Sequence, residues 1–305
     1  MRIRVLGSSA GGGFPQWNCN CPNCDGFRRG TLRARARTQS SIAVSADGTD
    51  WLLVNASPDI LTQIRDNPEL QPARAIRDSG IAAALLIDAQ IDHVTGLLML
   101  RERQTPLPLL ATPEVLSDLS DGFPIPRILS HFCGVDRHEL SIDGRTLAVP
   151  GLADVQLQCV SLSSKPPPYS PFRGNPRPGD NIGLVITNPL NGQRVFYAPG
   201  LGEITPALLE LMAGCSVVMV DGTFWTNDEM QRMGLHSKTA TDLGHLPQSG
   251  PGGMVEQLDR LPAHIRKILI HINNTNPMLV EDSDERAELT AHGIEVAHDG
   301  MDIVF

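Results

Sequence analysis

An apolar run that ends in an aspartate–histidine pair constrains this chain more than any other stretch: Leu85-Leu86-Ile87-Asp88-Ala89-Gln90-Ile91-Asp92-His93-Val94-Thr95-Gly96-Leu97. A buried strand followed at once by ligand-type side chains and then by helical spacing delivers those side chains to the carboxyl end of a sheet. Open α/β sheets keep their sites there. Asp92 and His93 are therefore candidate metal ligands. Asp88 and Gln90, just ahead of them, are candidate partners that orient His93 or a metal-bound water. An Asp-His pair at a helix start can also be a cap beside a core histidine, so spacing alone leaves both readings open.

The rest of the chain supplies the sheet. Short apolar runs recur at 2–6, 51–55, 83–88, 155–162, 182–187, 194–198, 217–221, 268–271 and 294–297. Helical spacing appears at 58–65, 94–103, 113–119, 206–212 and 254–261. Interleaved strands and helices predict an α/β layer architecture. His271 closes the run Lys267-Ile268-Leu269-Ile270, at a strand end like Asp92 and His93. One carboxylate and two imidazoles meeting at a point form the face suited to non-haem Fe(II) and O₂ chemistry. Asp180, Asn181, Asp221 and Asn273 end strands or loops expected to face the same mouth, the first two and Asn273 as candidate substrate contacts.

Six cysteines in 305 residues do not make a disulfide scaffold. Cys19, Cys21 and Cys24 lie within six residues on a Gly/Pro-rich loop, which suits a structural zinc lacking one ligand. Cys133, Cys159 and Cys215 are scattered and read as small buried hydrophobes. A net charge of −9 offers no footprint for nucleic acid. No apolar run approaches the roughly 18 residues of a membrane helix, so a cytoplasmic protein without membrane insertion is expected. The proline-dense segment Lys165–Asp180 is either a stiff surface connection or a pre-shaped wall over the site.

The motif at 85–97 resembles the L-T-H-x-H-x-D-H-x-x-G-L signature of the metallo-β-lactamase superfamily. Asp88 and Gln90 stand in its first two histidine positions, and Asp92 and His93 in its last two ligand positions. The resemblance implies a four-layer αββα sandwich. A single domain over 1–305 is expected, with a Cys-rich zinc loop (18–25) and a Pro-rich loop (164–181). It also implies metal binding by the histidine ending the C-terminal strand, His271. In Tyr197-Ala198-Pro199-Gly200-Leu201-Gly202, Gly200 occupies the place of the superfamily's bridging aspartate, so a second metal lacks ligands and hydrolysis is the weaker expectation. Some superfamily phosphodiesterases carry a similar C-x-C-P-x-C loop whose last ligand follows the C-terminal metal histidine. Asn274 falls at that offset, a candidate fourth zinc ligand beside a backbone oxygen or water. His245, in Thr241-Asp242-Leu243-Gly244-His245, falls where those enzymes keep a catalytic histidine, and with Asp221 it forms the expected catalytic pair.

Taken with Leu6–Cys21, Ala36–Ser41, Asn55–Asp59, Pro178–Leu184 and Leu269–Pro277, these segments resemble the coenzyme PQQ biosynthesis protein B family over essentially the whole chain. That resemblance implies a role in pyrroloquinoline quinone (PQQ) biosynthesis. The implied chemistry is iron- and O₂-dependent hydroxylation of the tyrosine ring of a Glu-Tyr-derived precursor. The alternative is a carrier moving PQQ or its precursor toward the periplasm. Fe(II) at Asp92, His93 and His271, a structural Zn(II) at the cysteines, the quinone precursor, O₂, other PQQ-biosynthesis proteins and a second copy in a homodimer are the expected cofactors and partners.

Overall fold

Strands such as Val217–Val220 are apolar at every position, so both of their faces must be covered. The chain meets that demand with two sheets packed face to face and helices on each outer side. The computed structural model describes residues 1–305, apart from the side chain of residue 153. The first sheet contains β1 (Arg2–Gly7), β2 (Ser41–Ser45), β3 (Trp51–Val54), β4 (Ile81–Leu85), β5 (Leu107–Ala111) and β6 (Val135–Glu139). The second contains β7 (Leu147–Val149), β8 (Leu152–Ser161), β9 (Ile182–Thr187), β10 (Arg194–Ala198), β11 (Val217–Asp221), β12 (Arg266–Ile270) and β13 (Ile294–Val296). The last strand, β14 (Asp302–Val304), returns to pair with β1, giving the orders β14-β1-β2-β3-β4-β5-β6 and β13-β12-β11-β10-β9-β8-β7.

Three buried clusters define four layers. Ile3, Val44, Leu85, Leu157, Leu184, Tyr197 and Ile268 fill the space between the sheets. Outside the first sheet, Leu53 and Leu109 pack with Ile60, Val115 and Leu119 of the helices Ile60–Asp66 and Pro113–Asp121. Outside the second, Val218 and Leu269 pack with Leu208, Met212, Leu258 and Leu289 of the helices Pro206–Ala213, Met254–Asp259 and Asp284–Ala291. This is the αββα sandwich expected from the sequence. No helix among the described residues is long and apolar enough to cross a membrane.

β3 through β6 run parallel, as do β10 through β13. Their carboxyl ends therefore carry the polar loops that converge above the sandwich. The expected helix at 94–103 is instead one α-turn, Ile91–Val94, continued as a 3₁₀ segment, Thr95–Leu100. Gly96 explains the tightening, because a Cβ there would lie 2.1 Å from the Ser57 carbonyl oxygen and its amide donates to Ala56 O at 2.9 Å. β5 and β6 escape sequence patterning for different reasons. Pro108 demotes the first, and the second, Val-Asp-Arg-His-Glu, is a charged edge strand of the kind that blocks further pairing.

Candidate metal centre

β4 ends at Leu85, and the next five residues form a loop that turns into the helix carrying Asp92 and His93. β11 and β12 are in register with Asp221 opposite Ile270, so His271 emerges one residue beyond its neighbour's carboxylate. Asp92, His93 and His271 thus come together: Asp92 Oδ2 lies 3.8 Å from His93 Nε2 and 3.5 Å from His271 Nε2. Their ligand atoms all fall within 4.8 Å of one another. Gln90 occupies the N-cap position without a side-chain capping bond, and the Asp92 side chain faces the two imidazoles.

Each histidine is held from behind. The carboxylate of Asp88 lies 2.8 and 2.9 Å from His93 Nδ1. An ionised carboxylate only accepts, so Nδ1 carries the hydrogen and Nε2 turns to Asp92. His93 Nε2 is buried and has no hydrogen-bond partner among the described residues. Burial works against a charge on His93, but Asp88 and Asp92 outweigh it and raise the imidazole to about 9. Burial likewise opposes ionisation of Asp92, yet His93 and His271 hold its carboxyl below the usual carboxylate range. An orphaned buried nitrogen facing an ionised carboxylate and a second imidazole fits a divalent cation among the three.

His271 has φ of 63°, one of two positive values outside glycine among the described residues; the other is Asn55, after β3. His271 Nδ1 sits 2.9 Å from Thr223 Oγ1. His245 stacks against His271 with centroids 5.6 Å apart, and its Nδ1 lies 2.5 Å from Asp221 Oδ2. Asp221 is fully buried and also accepts from the amides of Leu201 at 2.9 Å and Thr223 at 2.8 Å. Burial lowers and Asp221 raises the His245 imidazole, with a net upward shift. The expected pair of Asp221 and His245 therefore stands beside the cluster, through His271.

Other sequence candidates divide. Asp88 reaches His93 as expected, whereas Gln90 does not: its side-chain amide donates to Lys165 O at 3.2 Å. Asp180, expected as a substrate contact, is engaged within the Pro-rich loop. Arg177 occupies both its oxygens, with Nη2 2.8 Å from Oδ1 and the backbone amide 2.5 Å from Oδ2, inside the Pro-rich loop. Asn273 spends its Nδ2 on Thr275 Oγ1 at 2.5 Å. Asn181 is buried, with an Nδ2 lacking a partner among the described residues, and its neighbour Ile182 donates to Ile87 O at 2.9 Å, close to Asp88. The Pro-rich loop is tied to both sides of the centre. The Tyr169 hydroxyl donates to Ala89 O, and Lys165 Nζ donates to Asp242 O at 3.0 Å, in the helix before His245.

Sequence reading missed Gly11 and Thr223. Ala10 N donates to Ile272 O at 2.9 Å, which lays the Gly11-Gly12-Gly13 turn against the centre; a Cβ on Gly11 would meet Asp92 Oδ2 at 3.2 Å. The triple glycine was the available signal. For Thr223, nothing in the local pattern distinguishes it from other strand-end threonines. A cavity of about 760 Å³ lined by Arg74, Arg103 and Met99 includes Ile81, at the amino end of β4, and so lies away from this centre.

The cysteine loop forms a second cluster. Cys19, Cys21 and Cys24 Sγ lie within 4.8 Å of one another. The Asn274 side-chain amide stands 3.1, 3.5 and 3.4 Å from the three sulfurs. Turning that amide over presents Oδ1 to the same thiols. Burial pushes the Cys21 thiol up, so a thiolate there calls for a cation, and the donor set fits zinc.

A family model described as the beta-lactamase superfamily domain matches residues 50–272. Coenzyme PQQ synthesis protein B of Azoarcus sp. strain BH72 is 62% identical over 301 residues, 99% of each chain. The protein of that name from Methylobacillus flagellatus is 61% identical over 305 residues, the whole of both chains. Zn(2+)-bound PqqB from Methylobacterium extorquens superposes with a TM-score of 0.92 at 39% identity, covering 100% of both chains. A diphosphatase of the PhnP family, at 17% identity and a TM-score of 0.67 over 100% and 97% of the two chains, shares the fold.

Proposed function

From the premise that this chain belongs to the coenzyme PQQ synthesis protein B family of the β-lactamase superfamily, and so to PQQ biosynthesis, we propose that it is an Fe(II)- and O₂-dependent hydroxylase. The substrate is the tyrosine ring of a Glu-Tyr-derived precursor. One observation carries this reading: a single carboxylate and two imidazoles, Asp92, His93 and His271, converge with no further acidic ligand in place of Gly200. Such a face leaves positions open for O₂ and a phenol, whereas two-metal hydrolysis needs ligands this chain spends elsewhere. Asp88 is turned to His93 Nδ1, and Asp221, with an oxygen within 4.8 Å of the His245 and His271 nitrogens, is already bonded to His245, Leu201 and Thr223.

Asp92, His93 and His271 would hold the iron. Ferrous iron, with a two-electron reductant from solution, would supply O₂ activation for ring hydroxylation, the second oxygen atom leaving as water. Asp88 holds the Nδ1 hydrogen of His93, so Nε2 is the nitrogen that would give up its proton to a cation and turn its lone pair to the centre. Asp221 accepts the hydrogen bond from His245 Nδ1, leaving Nε2 to accept the phenol proton and later return it. His245 is only partly buried, so that nitrogen is reachable. The Gly11 turn keeps Asp92 free of side-chain obstruction, and the Pro-rich loop walls the approach from Ala89 to Asp242.

The test is anaerobic reconstitution with Fe(II), comparing the intact protein with Asp92→Ala for metal content and for oxygen uptake on a Glu-Tyr-like substrate. Iron and oxygen uptake are expected in the first and absent from the second, with the cysteine-loop metal unchanged in both. Oxygen uptake that survives Asp92→Ala, or quinone binding with no iron in either, would overturn the hydroxylase and leave a carrier.

A further inference from the structure

We infer that Thr223 is the positioning residue of this centre: one hydroxyl fixes both the backbone and the ring of His271, and so sets which nitrogen faces the metal. The inference rests on the reading that Asp92, His93 and His271 hold a metal.

Thr223 Oγ1 touches two parts of the same histidine, the carbonyl oxygen and Nδ1, each at 2.9 Å. A hydroxyl has one hydrogen to give and two lone pairs to receive with. The carbonyl can only accept, and no other donor to it occurs among the hydrogen bonds of the described residues. The hydroxyl hydrogen therefore goes to the carbonyl. His271 Nδ1 must then be the donor to Oγ1, and its Nε2 carries the lone pair that faces Asp92 Oδ2 at 3.5 Å. The opposite proton placement would leave the carbonyl unsatisfied and put a hydrogen on the nitrogen needed for ligation.

The same bond accounts for the backbone. His271 holds a left-handed conformation that L-residues other than glycine adopt at a cost. In that conformation its own carbonyl and its own ring converge on a single hydroxyl, which offsets the cost. Thr223 is fixed in turn by its amide, which donates to Asp221 Oδ1 at 2.8 Å, and its Oγ1 lies 3.1 Å from His245 Nδ1. Asp221 thus anchors the residue that orients a metal ligand as well as the histidine proposed to move a proton.

Thr223→Ser and Thr223→Ala both lose the methyl group and differ in the hydroxyl alone, and Thr223→Val keeps the shape without the hydroxyl. Each full-length variant, carrying its cysteine-loop zinc, is titrated with Co(II), following the affinity and the visible absorption of the bound ion. Thr223→Ser is expected to bind close to the parent. Thr223→Ala and Thr223→Val are expected to bind about 10- to 100-fold more weakly, with an altered spectrum. Equal affinity and spectrum in the Ser and Ala variants would overturn the inference, and that comparison stands even if the Val variant fails to fold. Should the parent take up no Co(II) beyond the cysteine loop, the metal reading itself fails. Parent-like binding in both variants sinks the role of Thr223 alone.

Discussion

The cysteine loop and the Asp-His centre lie a few residues apart along one segment, His271 to Asn276, yet they are built on opposite plans. The loop gathers three thiols and an amide from Cys19–Cys24 and Asn274 into one set, in which the Gln16 amide donates to Cys24 Sγ at 3.4 Å and no carboxylate or hydroxyl among the described residues stands behind a thiol. The centre gathers only three ligands, but two of them have a dedicated partner, Asp88 behind His93 and Thr223 behind His271. A closed set of identical soft ligands needs no help to choose its proton state, because thiolates bind in one way. An open set of imidazoles does, because either ring nitrogen can face inward. On the proposed reading, the first plan suits a site that holds a fold together and the second a site that keeps positions free for chemistry.

Breaking the loop is expected to have the largest effect. Cys21→Ser removes one proposed metal ligand, and Cys21 and Cys24 also pack in the apolar layer outside the second sheet with Phe14 and Trp225. A destabilisation of about 4 kcal/mol is expected, the class of loss seen when a structural metal goes. Thermal or urea unfolding with metal analysis checks it. An unchanged midpoint would mean that the loop is not a structural site.

Asp88→Asn probes the other plan at smaller amplitude. The side chain keeps its volume but loses the charge that directs the His93 hydrogen, so metal affinity at the centre is expected to fall about 10- to 100-fold. The cysteine-loop metal and the unfolding midpoint should stay near those of the parent. Competition with a chelator measures the first and melting the second. A parallel loss at both sites would erase the distinction between them.

The smallest effect concerns the wall shared by the two sites. Glu229 is buried, accepting from the Trp225 amide at 2.7 Å and from the hydroxyl of Thr275, beside Asn274. Burial raises its carboxyl from 4.5 to about 7, against the hydrogen bonds from Thr275 and the Trp225 and Thr226 amides that lower it. A raised folded-state value means that the protonated form is favoured in the fold. The contribution to stability is therefore complete below about 4.5 and is lost as pH rises through about 7. Glu229→Gln should flatten that fall, read from unfolding midpoints at about pH 5 and about pH 8. An unchanged pH slope would show that Glu229 is ionised throughout.

Much of this architecture was legible in the sequence, and the misses have physical causes. β3, β4 and β8 to β12 announce themselves as apolar runs because burial on a covered face selects for them. β6 does not, since an exposed edge is better served by Asp136, Arg137 and Glu139 than by hydrophobes. The helix from Ile91 to Val94 is shorter than its spacing suggests because Gly96 must pass close to Ala56 and Ser57, residues far away in the chain. Asp180 reads as a free strand-end carboxylate until Arg177, three residues earlier, folds back onto it.

The sequence by itself determined the ligand types and the strand ends that carry them, because hydrophobic periodicity and side-chain chemistry are local properties. Only the tertiary structure decided which polar neighbour each ligand received: Asp88 rather than Gln90 for His93, Thr223 for His271, and Asn274 against the thiols. Hydrogen bonds act over a few ångströms, and the packing of two sheets sets which residues, as much as 255 positions apart, come within that reach.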